Sequence, residues 1–174
     1  MSDKSKQNKN NGQARLSDGQ VLVELMVAIS VMVIGLLGIF TLLSQSLGLN
    51  RVAADQYIAA NLAAEGVEVA KNILDHNVIE RNPWNEGLER DGEFGVEYSS
   101  IALDENLSDE LLKFDKDSGR YNYTAGDETN FRRVITINNL SEDEIRVNSR
   151  VEWRSRGGTS FSINLEDHFY NWRP

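Results

Sequence analysis

The chain has 174 residues, of which 40% are hydrophobic and 26% are charged, with a formal net charge of -9 and no cysteine. This length fits one ordinary domain, or a small domain plus an extended element. The acidic balance argues against nucleic-acid binding, which needs a basic surface. The lack of cysteine excludes disulfides, thiolate metal sites and a cysteine nucleophile. We attribute the acidity mainly to solubility.

The first eighteen residues are polar and predict a disordered tail. They are rich in Asn, Gln, Lys and Ser and show no hydrophobic periodicity. Up to Gly19 the chain holds four basic residues against two acidic ones, Asp3 and Asp18, so the net charge of this stretch is four minus two, or +2. This positive excess lies directly before an apolar segment.

Residues 20–50 predict a transmembrane helix. Residues 25–43 are nineteen consecutive uncharged residues. As a helix they would span about 28 Å, close to the thickness of about 30 Å of a hydrocarbon core. The basic excess precedes this segment, whereas Arg51 and Asp55 after it balance each other. The positive-inside rule therefore predicts a single-pass protein with its N-terminus in the cytoplasm and its long C-terminal part outside.

The same helix is predicted to continue through residues 51–80 as an amphipathic half. No proline precedes Pro83, and the composition favours helix. Gly66 lies in or beside the apolar stripe, where its missing side chain would allow close packing. The apolar residues that fall on one stripe are Ala54, Ile58, Leu62, Val69 and Ile73. The polar residues predicted on the opposite face are Asn50, Asp55, Asn61, Glu68 and Lys71.

Residues 81–174 predict an exterior antiparallel β domain. Pro83, Asn85 and Gly87 end the helix, and Arg156 to Thr159 suit a hairpin between the last two strands. The fold class is α+β, a long N-terminal helix packed on a small antiparallel sheet, because the helix stripe and the strands bury each other. The alternating strand residues are Phe94, Val96 and Tyr98; Val134, Ile135 and Ile137; Ile145, Val147, Val151 and Trp153; and Phe161, Ile163 and Leu165.

Gly19, Gln20 and Glu24 are the candidate functional residues. An ionised carboxylate at the start of a membrane-spanning run is costly unless it has a partner. Taken alone, Glu24 could lie at the membrane edge, where the N-terminal end of a helix favours an acid. The glycine five residues before it, after a short basic stretch, indicates a more specific role.

These residues resemble the processing signal of the type IV pilin superfamily. The resemblance implies that residues 1–19 are a leader, cut between Gly19 and Gln20 on the cytoplasmic side by a prepilin peptidase and methylase. Gln20 would become the methylated N-terminus. Glu24, the fifth mature residue, would then form the assembly salt bridge with this amine in a neighbouring subunit. Gln20 departs from the Phe or Met that is usual at the first mature position.

Minor pilins and minor pseudopilins are the nearest resemblance. Residues 19–40 (GQVLVELMVAISVMVIGLLGIF) and 59–72 (AANLAAEGVEVAKN) look like their helix, and the chain lacks the disulfide loop and mid-helix proline of many major pilins. The resemblance implies a non-enzymatic subunit of a type IV pilus or type II secretion-like fibre, located first in the cytoplasmic membrane. Its implied partners are other pilin or pseudopilin subunits, an inner-membrane assembly platform and the lipid bilayer, with no cofactor or metal.

Two other interpretations stay open at the level of sequence. One is a secreted domain behind an ordinary signal peptide cleaved near Ser46, although such apolar regions usually run to about 15 residues. The other is a permanently anchored single-span membrane protein with an exterior β-sheet binding domain. That protein would have the same topology but would assign no role to Gly19 and Glu24.

Residues 115–119 (DKDSG) resemble the start of a calcium loop. The EF-hand spacing needs a glutamate at position 126, which is Gly126 here. We therefore interpret Asp115 to Gly119 as a turn between strands. His76 and His168 have no partner at a metal-binding spacing and are interpreted as packed or surface histidines.

Overall fold

The structure, a computed structural model, describes residues 11–155 and 158–172, with side chains from residue 19 onward. These residues form two compact units that divide after Arg51. The elements are α1 (Asn11–Glu80), β1 (Gly92–Phe94), a short 3-10 helix (Glu105–Leu107), β2 (Leu111–Asp115), β3 (Arg120–Asn122), β4 (Asp127–Ser141), β5 (Glu144–Arg154) and β6 (Ser160–Tyr170). The predicted α+β fold, a long N-terminal helix with an antiparallel sheet, is confirmed.

Helix α1 is longer than the sequence predicts at its N-terminal end. It begins at Asn11, so the prediction of a disordered tail is wrong for residues 11–18, while residues 1–10 lie outside the described part. Ala14, Arg15 and Leu16 are good helix formers and supply the physical reason. The end of the helix at Glu80 agrees with the predicted boundary.

The C-terminus of α1 is closed by a Schellman-type motif. Arg81 adopts a left-handed conformation with φ of 64°, and the N–H of Asn82 donates to the carbonyl of Asn77 at 2.9 Å. Pro83 follows and cannot continue the helix. The Asn77 side chain also donates to the carbonyl of Glu86 at 2.8 Å, which ties the outgoing chain to the last turns of the helix.

The sheet is antiparallel throughout, in the order β3-β2-β4-β5-β6, with β1 pairing to β4 beyond the end of β2. Strands β4, β5 and β6 contain three of the four predicted apolar segments. In the remaining segment only Phe94 lies in a strand; Tyr98 lies outside the strands and is exposed, which corrects that prediction. The apolar pattern located neither β2 nor β3, the two strands on either side of the turn predicted at residues 115–119. Residues 115–119 form the turn that joins them, as expected.

The helix half from Val52 to Glu80 packs against the sheet through a stripe that begins later along the helix than predicted. Leu62, Val69 and Ile73 are buried as expected, but Ala54 is exposed. The sheet begins to cover the helix only near Ile58, which leaves Ala54 exposed; Asp55, predicted on the polar face, is half-buried. Small side chains complete the buried stripe, and they are Ala59, Ala63 and Ala70.

The core has two apolar clusters along the helix. One contains Leu62 with Phe131 and Trp153, and the other contains Ile73 with Ile137 and further apolar residues of β4 and β5. In β5 every second residue from Ile145 to Trp153 is buried. The alternate residues form a polar outer face on the other side of the sheet.

Candidate functional site

Gly19, Gln20 and Glu24 all lie on helix α1 and are exposed. Gln20 and Glu24 are four residues apart, so their side chains lie on the same face of the helix. Apart from the adjacent backbone of the helix itself, a Cβ added at Gly19 would meet no heavy atom of the described residues within 4 Å. The three residues predicted to act together therefore occupy one accessible stretch of helix, just before the uncharged segment.

The apolar segment of α1 has its side chains open on all sides. Every large hydrophobic side chain from Val21 to Leu49 is between 48% and 70% exposed. The most apolar stretch of the helix has a mean hydropathy of 2.6 and no buried residue, and it gives the one candidate membrane-spanning helix among the residues that the structure describes. Such an apolar surface needs a non-aqueous environment or neighbouring apolar helices.

The two hydroxyls within residues 25–43 of this segment are satisfied within the helix. The hydroxyl of Ser30 donates to the carbonyl of Met26 at 2.8 Å, and that of Thr41 donates to the carbonyl of Leu37 at 2.9 Å. Such bonds to the preceding turn leave no hydroxyl hydrogen without an acceptor in hydrocarbon. Glu24 is therefore the residue of this segment whose charge requires a partner from outside the helix.

Two glycines of the segment offer places where helices could approach closely. Apart from the adjacent backbone of the helix itself, Cβ atoms added at Gly35 and Gly38 would meet no heavy atom of the described residues within 4 Å. The two residues are three positions apart, so they share one helix face. Small residues on one face let helix backbones come close together in a membrane.

At Gly66 the helix α1 lies close against the sheet. A Cβ at this position would lie 2.4 Å from Ser149 Oγ and 2.6 Å from Ile135 Cδ1. Ser149 is itself fully buried, and it faces the helix between the larger Val147 and Val151. The predicted role of Gly66 in close packing is confirmed, and its partner is a small polar residue of β5.

Arg133 of β4 is fully buried beside Gly66 and joins three parts of the domain. Its Nη1 donates to the carbonyl of Leu62 at 3.0 Å and to Glu65 Oε1 at 3.1 Å, both on α1. Its Nη2 donates to the carbonyl of Val96, after β1, at 2.5 Å. The guanidinium thus fixes the helix against the sheet between the two apolar clusters.

The surroundings of Arg133 are polar on one side. Burial raises the pKa of the Tyr123 phenol, and the nearby Arg133 guanidinium opposes this shift. A buried charge needs several acceptors; here Leu62, Glu65 and Val96 accept from the two terminal nitrogens, whereas Nε has no hydrogen-bond partner among the described residues.

Sequence reasoning missed Arg133 and Ser149, although a signal was present. Phe131, Arg133 and Ile135 occupy every second position along β4 and therefore lie on the same face of the sheet, and the two apolar residues are both buried. Ser149 likewise lies in phase with the buried Val147 in β5. Strict alternation would have placed a charge and a hydroxyl on the core face. A small residue on a core face opposite a helical glycine indicates close packing.

The outer face of the sheet carries an ion-pair cluster around His168. Its Nδ1 lies 2.8 Å from Glu144 Oε1 and its Nε2 lies 3.5 Å from Glu166 Oε1. The hydrogen bond to Glu144, helped by Glu166, raises the pKa of His168 above 6.5. The same bond, with a second from Tyr170, lowers the pKa of Glu144 below 4.5. The cluster therefore ties β6 to β5 most strongly when His168 is protonated.

Comparison with known proteins gives no relative from which a role could be transferred. No family model, no curated protein and no solved structure matches the chain. The geometry itself offers an accessible apolar helix with one carboxylate and a separate helix-on-sheet unit. This arrangement suits association through helices and surfaces.

Proposed function

We propose that this chain is the precursor of a minor pilin or pseudopilin, a structural subunit of a type IV pilus or type II secretion-like fibre. A prepilin peptidase would cut it between Gly19 and Gln20 and methylate the new N-terminus. The mature subunit would stay in the cytoplasmic membrane through residues 20–50 until an assembly platform moves it into the fibre. The sheet would then lie outside the membrane.

The observation that carries this proposal is the two-part character of α1. From Val21 to Leu49 the helix has large apolar side chains on every side, all at least 48% exposed. From Ala59 to Leu74 the same helix buries a stripe against an antiparallel sheet. A subunit that anchors in lipid and later packs among identical helices needs the first part, and a stable exterior domain needs the second.

The chemistry of Glu24 supports the same proposal. Cleavage before Gln20 would create an amine four residues from Glu24, and methylation would keep its positive charge. A carboxylate and an ammonium about 4 Å apart attract by about 4 kcal/mol at an effective dielectric of about 20. Leaving Glu24 unpaired in an apolar surrounding would forfeit this attraction and add a desolvation cost. Pairing between neighbouring subunits would therefore favour assembly in register.

A permanently anchored single-span protein is the second candidate function. The observation in its favour is that α1 runs without a break from Asn11 through Gly19, so the proposed cleavage site lies inside a helix. A peptidase would need this turn to open first. In this alternative the sheet would act as an exterior binding domain on an uncut anchor.

Substitution of Glu24 tests the assembly step. We expect Glu24→Ala to leave cleavage largely intact and to abolish incorporation into fibres, because the neighbouring amine loses its partner. Sheared fibres would be examined by immunogold labelling, with the precursor and mature forms separated by mass.

The matched control is Ser30→Ala, which removes a polar group of the same segment whose hydroxyl bonds only within the helix. This variant should be incorporated normally. Fibres labelled equally in the Glu24→Ala variant and the parent would contradict the proposed salt bridge.

A further inference from the structure

Strand β6 forms one edge of the sheet and is long and regular. Its eleven residues, Ser160–Tyr170, pair with β5 without a register shift. By contrast, the ladders of β4 with β2 and with β5 both contain irregularities. Among the described residues no strand pairs with the outer side of β6. A long, regular edge of this kind is a template for another strand.

The ladder shows which backbone groups point away from the sheet. Asn171 N donates to Asp143 O, and Ser155 N donates to Thr159 O, each at 2.9 Å. In an antiparallel pair, bonded and non-bonded residues alternate. The odd-numbered residues of β6 therefore bond to β5, and the even-numbered residues direct their N–H and C=O groups outward.

The side chain of Asp167 already binds one of the outward backbone groups of this edge. Asp167 Oδ1 accepts a hydrogen bond from the outward N–H of His168 at 2.8 Å. The open stretch is therefore residues 160–166. It contains four outward-directed residues, each with one donor and one acceptor, which makes eight groups in total. They belong to Ser160, Ser162, Asn164 and Glu166.

The apolar layer of the sheet is incompletely covered at this edge. Val151 and Trp153 of β5 are buried, but Phe161 and Ile163 of β6 are only half-buried. Leu165, farther along the same face, is 41% exposed. An added strand with apolar side chains at alternate positions would cover this row and would place polar side chains beside the serines on the opposite face.

We propose that residues 160–166 bind an extended segment of another protein by strand addition, and that this segment carries two consecutive basic residues at the end that meets Glu166 and Asp167. Strand β6 holds these two carboxylates and neither lysine nor arginine. A second copy of β6 would bring neither lysine nor arginine, and its His168 already lies between Glu144 and Glu166; each chain also has a net charge of -9. Charge complementarity therefore favours a basic partner over a copy of this chain.

The test uses the full-length protein in detergent micelles with a synthetic peptide. The peptide alternates valine or isoleucine with threonine and ends in two lysines. On saturation, amide exchange at Ser162 and Asn164 should slow by about tenfold or more, which corresponds to new hydrogen bonds. Exchange at Ile163 should change little, because this amide already bonds to β5. The same peptide with alternate amides N-methylated should not bind.

Two variants and a control locate the site. Ser162→Pro removes an outward N–H without touching the ladder with β5, and Leu165→Asn removes exposed apolar surface. Each should weaken peptide binding by about tenfold, the equivalent of one lost interaction of about 1.4 kcal/mol. Leu140→Asn is the control, because Leu140 is similarly exposed, at 48%, but lies on β4. If the proline variant does not fold, Leu165→Asn still decides the question.

Several results would overturn the proposal. These are no binding at millimolar peptide, equal slowing of exchange at even and odd residues, and binding that the variants do not change. Concentration-dependent self-association that protects Ser162 and Asn164 without peptide would identify a second copy as the occupant and would equally contradict it. None of these outcomes bears on processing at Gly19.

Discussion

The two halves of α1 differ in the exposure of their apolar side chains, although they form one helix. Residues 21–49 have apolar side chains on every side, and all the large ones are at least 48% exposed. In the second half, Leu62 and Ile73 are at most 6% exposed, while Asn61 and Lys71 on the other side are exposed. The comparison shows that the arrangement of apolar residues around a helix, more than their number, determines whether it packs within its own chain.

The first prediction concerns what holds the second half in place. We expect Arg133→Met to lower the free energy of unfolding of the domain by about 3 kcal/mol or more, because it leaves Glu65 and two carbonyls without their donor. Urea unfolding followed by tryptophan fluorescence in detergent would measure the change.

The control is Arg90→Met. Arg90 pairs with Glu105 at 2.6 Å on the surface, and such exposed pairs contribute about 1 kcal/mol or less. Equal losses in both variants would show that burial of Arg133 adds nothing to the attachment of α1 to the sheet.

A second prediction compares glycines in the two halves. We expect Gly66→Val to lower the free energy of unfolding by about 1 to 3 kcal/mol, because the added side chain overlaps Ser149 and Ile135. Gly35→Val should leave the unfolding of the domain unchanged, since a Cβ there meets, apart from the adjacent helix backbone, no heavy atom of the described residues within 4 Å. The same urea titration measures both variants, and a stable Gly66→Val protein would disprove the close contact.

The smallest expected effect is the pH dependence of the outer face. The pKa of His168 is raised by Glu144 and Glu166, so its contribution to stability is present below about pH 6.5 and is lost as pH rises through the higher folded value. The lowered pKa of Glu144 acts in the other direction, so that its contribution is lost as pH falls below about 4.5.

NMR titration of the His168 ring would measure this pKa directly. Glu144 and Glu166 favour protonation of the ring and raise its pKa, whereas desolvation opposes it. Glu144→Gln should therefore lower the pKa of His168. An unchanged value in this variant would show that the bond between the two residues does not form in solution.

Much of the fold can be predicted from the sequence, because the long helix and the three longest strands have apolar residues at regular spacing over many positions. The burial of Leu62 and Ile73 and the three longest strands were predicted from spacing, and the helix end at Glu80 from the helix-breaking residues that follow it. Strands β2 and β3 were missed because they have five and three residues. Such short segments alternate too briefly to be distinguished from turns.

The residues of the candidate site also differ in how far they could be predicted from local sequence. Gly19, Gln20 and Glu24 are recognisable because their spacing is local, and their proposed roles stay predictions. Arg133 was missed because its acceptors on α1 and after β1 lie 71 and 37 residues away in the chain. Local periodicity does not show which distant groups will satisfy a buried charge.

The intact mass of the mature protein tests the central claim most directly. Purified membranes and fibres should yield a chain that lacks residues 1–19 and carries one added methyl group on Gln20. The matched variant Gly19→Leu should stay at full length, because a bulky residue before the cut would block the peptidase. Retention of the full N-terminus in the parent protein would contradict processing at Gly19, and a cut after Ser46 would identify an ordinary signal peptide.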